Sequence, residues 1–141
     1  MVFPDIKTIE IGDEIVVIHS EFEGVNRIVH MNVSSHDGAA IAHQGHAIGW
    51  WEGDVLVVDT ANFADHRMGN AFSLPSGAGK HLVERFELHP DGTSLIYSFT
   101  LEDREYLAAP ISGEVRWVHR PDLELSVEEC DLENARRYLR D

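Results

Sequence analysis

Short runs of alternating apolar and polar residues, broken by turn residues, dominate this sequence. About nine such runs follow one another, from IKTIEI near the N-terminus to LELSVEEC near the C-terminus. Gly12-Asp13, Glu52-Gly53-Asp54 and Pro90-Asp91-Gly92 stand between them, and such residues favour tight turns. Alternation with a period of two is typical of half-buried strands, so the chain is predicted to be all-β with antiparallel neighbours.

The predicted strands must hide their edges, and the sequence offers no long crossover helices to cover them. We therefore predict an antiparallel up-and-down β-barrel, lipocalin- or calycin-like, formed by residues 1–141 as a single domain. A two-sheet sandwich is the alternative. The segment Ala64–Gly79 is predicted to be a long loop, and a short C-terminal helix is predicted to begin at Asp131.

The charge balance limits the partners that such a chain can bind. Its 141 residues include 11 Lys and Arg against 25 Asp and Glu, a formal net charge of −14. Nucleic acids and anionic membranes would repel it, whereas neutral or cationic ligands are favoured. The single cysteine, Cys130, excludes an internal disulfide. Because the sequence shows neither a signal-peptide pattern nor an apolar run long enough to cross a bilayer, we expect a cytoplasmic protein or the mature form of a processed one.

Alternation places two ionisable residues in phase with apolar neighbours. Glu84 is in phase with Leu82 and Phe86, and His119 is in phase with Trp117, so both are predicted to face the interior. A charge inside a barrel is costly unless it is paired. These side chains are therefore expected to meet other polar groups, water or a ligand.

Three further polar residues have an ambiguous direction. Asp59 lies in a strand whose two faces are both apolar, and alternation does not decide whether Arg27 or His30 faces inward. If Arg27 and Asp59 do face inward with Glu84, the interior holds a cluster in which acid–base chemistry is feasible.

Two short motifs are similar to known functional sites but lack residues that those sites need. His43 and His46 have a spacing that a metal could use, but no third ligand is fixed nearby, so no metal and no cofactor are predicted. The stretch Gly45–Gly49 is similar to a nucleophile elbow, yet Ala47 occupies the place of the serine and excludes serine hydrolase chemistry there.

Large aromatic side chains on the predicted strands have two interpretations. They form either the core of the barrel or the walls of a site for an aromatic or hydrophobic molecule. The candidates for ligand contact are Trp51, Tyr97, Phe99 and Trp117.

The block His46–Phe63, HAIGWWEGDVLVVDTANF, carries the most specific motif. It resembles a largely uncharacterised bacterial protein family with the signature GxSxGxWEGDTLVV(D/E)T, here GHAIGWWEGDVLVVDT. Similar segments are Arg27–Asn32, Leu82–Phe86 and Glu128–Asn134. The resemblance implies that Arg27, Asp59 and Glu84 occupy family motif positions and that relatives are often exported. It supplies no reaction, and Ala47 departs from the signature.

Two hypotheses for function follow from a barrel with polar groups inside. In the first, a cofactor-independent lyase, isomerase or hydratase uses Glu84 or Asp59 as its base and Arg27 to hold an oxyanion or carboxylate. The catalytic acid is then one of three histidines: His30, His46 or His119. In the second, the cavity is a non-catalytic binding or carrier site. Both imply a small hydrophobic or aromatic partner, and the sequence leaves a homodimer open.

Overall fold

The computed structural model of the chain describes residues 5–71 and 73–126, with the backbone alone for Glu23. These residues form ten strands and one short 3-10 helix, Phe22–Gly24. The strands are β1 (Lys7–Ile11), β2 (Ile15–Ser20), β3 (Val25–His30), β4 (His46–Glu52), β5 (Val55–Ala61), β6 (His66–Ala71), β7 (Leu74–Ser76), β8 (His81–Leu88), β9 (Ser94–Glu102) and β10 (Ile111–Val118). Cys130 and the helix predicted to begin at Asp131 lie outside the described residues.

Eight strands form one curled sheet in the order β1-β2-β3-β4-β5-β8-β9-β10. The other two, β6 and β7, pair with each other as a separate hairpin. The prediction of an all-β fold is therefore confirmed for the described part of the chain. Most neighbours in the sheet are consecutive in sequence, as expected when hairpin turns connect them.

One pair of strands departs from the predicted antiparallel arrangement. β3 and β4 run parallel, and their register covers Val29 with Ala47 and His30 with Ile48. Residues 31–45 return the chain to the side of β3, so that β4 begins next to the last residues of β3 and continues in the same direction. The prediction of antiparallel neighbours throughout is therefore wrong at this pair.

The sheet is a half-barrel with two edges. Within residues 5–71 and 73–126, β1 pairs only with β2, and β10 pairs only with β9. The edges interact through side chains instead, because Lys7 Nζ on β1 lies 5.9 Å from the centre of the Trp117 ring on β10. A side-chain contact thus joins β1 and β10, whereas a fully closed barrel would have backbone hydrogen bonds between these two strands.

Two predicted segments have a different structure. The segment predicted to be a long loop, Ala64–Gly79, contains β6 and β7. Its composition, rich in Gly, Ser and Asn, lacks the alternation from which strands are recognised. The last predicted strand, LELSVEEC, is not a strand over residues 123–126, and its remaining residues lie outside the described part.

The concave face of the half-barrel carries the main core. Val16, Val29 and Val58 are each 0% exposed, and they lie on β2, β3 and β5. Val16 and Val29 are direct cross-strand partners. Because successive side chains of a strand point to opposite faces, every second residue of each strand contributes to this surface. Full burial of such a valine contributes about 1.5–3 kcal/mol.

Gly113 on β10 leaves room for the ring of Phe99, its direct partner on β9. A Cβ at Gly113 would lie 2.7 Å from Phe99 Cε1, closer than carbon atoms pack. The small residue therefore lets the aromatic ring cover the neighbouring strand.

Substitution Gly113→Ala is expected to lower the free energy of unfolding by about 1–3 kcal/mol, as overpacking does elsewhere. Urea denaturation followed by tryptophan fluorescence measures this. The matched control is Gly79→Ala, because a Cβ at Gly79 meets nothing within 4 Å. Equal stability of the two variants would contradict the steric role of Gly113.

Candidate ligand-binding cavity

A cavity of about 510 Å³ lies against the concave face, and β6 and β7 also contribute to its lining through Asn70, Ala71 and Leu74. This volume falls within the range of about 300–1,000 Å³ typical of small-molecule sites. Most lining residues are aliphatic or aromatic. The polar ones are Lys7, Ser20, Arg27, Asn70, Lys80 and Glu84.

Four aromatic side chains form one wall of the cavity. The rings of Tyr97 and Trp117 are stacked, with centroids 4.6 Å apart and an angle of 11° between their planes. The rings of Phe86 and Phe99 also contact that of Tyr97, with centroids 5.2 Å and 6.0 Å from it. Sequence reasoning singled out Tyr97, Phe99 and Trp117 as ligand contacts, and the structure places all three in the lining. The wall suits a flat or extended apolar molecule.

A buried ion pair lies in the same surface. Arg27 donates through both terminal nitrogens to the carboxylate of Glu84, with Nη1 3.0 Å from Oε1. Arg27 Nη2 also donates to Thr60 Oγ1 at 3.3 Å. The hydroxyl of Tyr97 donates to Glu84 Oε1 at 2.9 Å. Glu84 is 3% exposed, so these bonds replace the water that a free carboxylate would need.

Burial and charge act against each other at this pair. Burial by itself would lower the pKa of Arg27, but the Glu84 carboxylate more than offsets it and raises that pKa above its ordinary value. Burial raises the pKa of Tyr97, and Glu84 raises it further. Tyr97 is therefore a hydrogen-bond donor at all ordinary pH values and not a base. Arg27 and Tyr97 thus engage both oxygens of the Glu84 carboxylate in hydrogen bonds within the protein.

The β6–β7 hairpin is attached to the sheet through Asp103. Its Oδ2 accepts from Asn70 Nδ2 at 2.8 Å and from the backbone nitrogen of Gly77 at 2.9 Å. Burial alone would raise the pKa of Asp103, but hydrogen bonds from Gly77, Asn70 and the backbone of Glu105 hold it below its ordinary value. A buried carboxylate with these donors keeps the hairpin next to the cavity.

The opposite, convex face carries a histidine cluster, which we define as His30, His36, His46, His81 and Asp59. Asp59 Oδ1 lies 2.9 Å from His36 Nε2 and 2.9 Å from His81 Nε2. His36 Nδ1 lies 2.9 Å from His46 Nδ1, and the ring of His30 stacks on that of His46 at 5.2 Å. Asp59 points away from the cavity because its neighbour Thr60 faces Arg27.

The hydrogen bonds of the histidine cluster run in one direction. A carboxylate only accepts, so His36 and His81 each donate from Nε2 to Asp59. A neutral His36 must then accept at Nδ1, and His46 donates to it.

The remaining site candidates, His119 and Trp51, lie away from both the Arg27–Glu84 ion pair and the histidine cluster. His119 follows the end of β10 and is exposed, so the prediction that it faces the interior is wrong. Alternation ceases to apply where the strand ends at Val118. Trp51 is 48% exposed near the end of β4 and lines a separate open depression with Leu88 and Pro90, not the cavity.

The spaced histidines of the sequence do not form one site. The ring of His43 contacts that of His66, with centroids 5.5 Å apart, whereas His46 contacts His36 and His30. Among the described residues, no group of three or more His, Cys, Asp or Glu side chains has the geometry of a metal site. Those residues also include no helix with the length and apolarity needed to cross a membrane.

Sequence reasoning missed the two lysines of the lining, Lys7 and Lys80. Lys80 is in phase with Leu82 and Glu84, so extending the alternation by one residue beyond His81 would have found it. Asn70 carried no such signal, because its segment has no alternating pattern.

Replacing Arg27 alone by Met is expected to lower the free energy of unfolding by about 3–5 kcal/mol, because Glu84 would be left as an unpaired buried charge. The double variant Arg27→Met/Glu84→Gln removes that charge and retains an acceptor for Tyr97, so most of the loss should be recovered. Urea denaturation of the three proteins measures both effects. A double variant less stable than Arg27→Met would contradict the pairing.

The histidine cluster should make stability depend on pH. Burial, together with His36 and His30, lowers the pKa of His46 below its ordinary value. The unfolded chain then binds this proton more readily than the folded one, so unfolding free energy should fall as pH drops below about 6.5. We expect His46→Asn to reduce the slope between pH 7 and 5, measured by urea titration. His119→Asn is the control, and an equal change in both variants would refute the role of His46.

Comparison with known proteins gives no relative from which a function could be transferred: no protein-family model, no curated protein and no solved structure matches this chain. The resemblance to a bacterial family stays a prediction.

Proposed function

We propose that this chain is a small-molecule-binding protein whose cavity holds a small hydrophobic or aromatic molecule without transforming it. The observation that carries the proposal is a cavity of about 510 Å³ with a continuous aromatic wall. The central polar groups of that cavity are already bonded to one another. A mostly apolar cavity with a few fixed polar groups is the usual form of a ligand site.

The positions of the acid–base candidates favour binding over catalysis. A proton-transfer enzyme needs an acid and a base within reach of the same substrate. Glu84 lies in the cavity lining with both oxygens engaged. Asp59, His30 and His46 belong to the histidine cluster on the convex face. A lyase, isomerase or hydratase with Glu84 as its base would have its acid, His30 or His46, on the opposite face of the sheet. With Asp59 as its base, acid and base would both lie on the convex face, outside the cavity that would hold the substrate.

The proposal includes the fold type of the half-barrel. We take the half-barrel to be lipocalin- or calycin-like, a curled sheet whose interior receives the ligand. Its support is the eight-stranded sheet with a buried concave face. The parallel pair β3–β4 distinguishes it from a simple up-and-down barrel.

Binding of the neutral fluorescent probe N-phenyl-1-naphthylamine tests the proposal. We expect saturable fluorescence enhancement with the full chain, because the probe would leave water for the aromatic wall. The variant Leu101→Trp should abolish this enhancement by filling the cavity. The control Thr100→Trp adds the same ring at the preceding residue, which faces the other side of β9. This control should bind the probe normally.

Two results would overturn the proposal. One is the absence of saturable probe binding, and the other is equal binding by Leu101→Trp and Thr100→Trp, with both folded by circular dichroism. Native mass spectrometry of freshly purified protein adds a second readout. We expect any co-purifying molecule to keep its mass on incubation, whereas conversion to a product would favour the enzyme hypothesis instead.

A further inference from the structure

We propose that the ligand of this cavity is an amphipathic monoanion, a carboxylate on an alkyl or aromatic body, and that Lys80 binds its carboxylate at one end of the cavity. This inference rests on the proposed binding function and specifies the chemical class of the ligand. It differs from the expectation based on net charge, which favours neutral or cationic molecules.

The charge of the lining is opposite in sign to that of the protein. The lining contains three cations, Lys7, Arg27 and Lys80, and one anion, Glu84, whereas the chain as a whole has a net charge of −14. Local charge inside a low-dielectric cavity outweighs distant surface charge, which salt screens over about 8–10 Å. An anion is therefore favoured inside the cavity although the exterior is acidic.

Two of the three cations already have a carboxylate partner. Arg27 pairs with Glu84, and Lys7 pairs with Asp5 while donating to Ser20 Oγ at 3.3 Å. Lys80, by contrast, forms no salt bridge in the described part of the chain. Its ammonium donates to the carbonyl of Gly69 at 2.5 Å and lies 4.6 Å from the centre of the Phe63 ring.

An ammonium in that environment can accept one more negative partner. It has three N–H donors, and the carbonyl of Gly69 uses one of them. Burial lowers the pKa of Lys80, and the Asp103 carboxylate opposes this effect without cancelling it. A ligand carboxylate would supply the missing charge. A doubly charged phosphate fits less well, because its second charge would find no free cation and would be repelled by Asp103.

The position of Lys80 defines how the ligand would lie. Lys80 precedes β8 and is next to the β6–β7 hairpin through Gly69, whereas Glu84 lies four residues further along the chain. This separation corresponds to about 13 Å along a strand. A carboxylate at Lys80 would therefore leave the body of the ligand to extend past Leu82 and Leu101 toward the aromatic wall. The Arg27–Glu84 pair would contact that body and keep its own hydrogen bonds.

Isothermal titration of the full chain with decanoate and with 1-decanol, both below their aggregation concentrations, tests this assignment. The two probes share an alkyl chain and differ in charge. We expect decanoate to bind about ten-fold or more tightly than decanol, the lower end for a charge-assisted hydrogen bond. Lys80→Met should remove this preference, so that decanoate binds no more tightly than decanol, while Lys80→Arg should retain it.

The possible results separate the two proposals. Equal affinities for decanoate and decanol, or a preference that survives Lys80→Met, would overturn the assignment of Lys80 and leave the binding function in place. Failure of both probes and of N-phenyl-1-naphthylamine to bind would overturn both proposals. Circular dichroism checks that Lys80→Met is folded.

Discussion

The pairing of Arg27 with Glu84 inside an apolar surface is the interaction on which the rest of the structure depends. Taking two charges out of water is costly, and it is tolerated here because Thr60 and Tyr97 complete the hydrogen bonds. These four side chains come from β3, β5, β8 and β9. The pair therefore fixes how four strands face a common interior, and it also makes the centre of the cavity electrically balanced.

Alternation in the sequence was sufficient to predict the strands of the main sheet and the inward direction of Glu84. It failed where its physical basis is absent. His119 lies past the end of a strand, and the β6–β7 hairpin is too short and too rich in small polar residues to show a period of two. The direction of Asp59 depended on tertiary contacts, because both faces of its strand are buried. The parallel pair could not be predicted, since the composition of residues 31–45 does not reveal where their end returns.

Two residues that are adjacent in sequence, Asp59 and Thr60, point to opposite faces of the sheet. Thr60 contacts the cavity ion pair, while Asp59, the residue before it, holds two histidines on the convex face. A sequence-based grouping of Asp59, Glu84 and the histidines therefore joins residues that one layer of backbone separates. The hydrogen-bonded polar centre of the cavity and the histidine cluster are therefore two separate sites.

The parallel pairing of β3 with β4 affects how the curled sheet is held together. Only two residue pairs join these strands, so the backbone ladder nearly divides the sheet into a block of three strands and a block of five. Arg27 belongs to the smaller block, and Glu84 and Thr60 belong to the larger one. The contacts of Arg27 with Glu84 and Thr60 therefore hold the two blocks together across this short ladder. A change that removes either charge of the ion pair would also weaken the connection between the blocks.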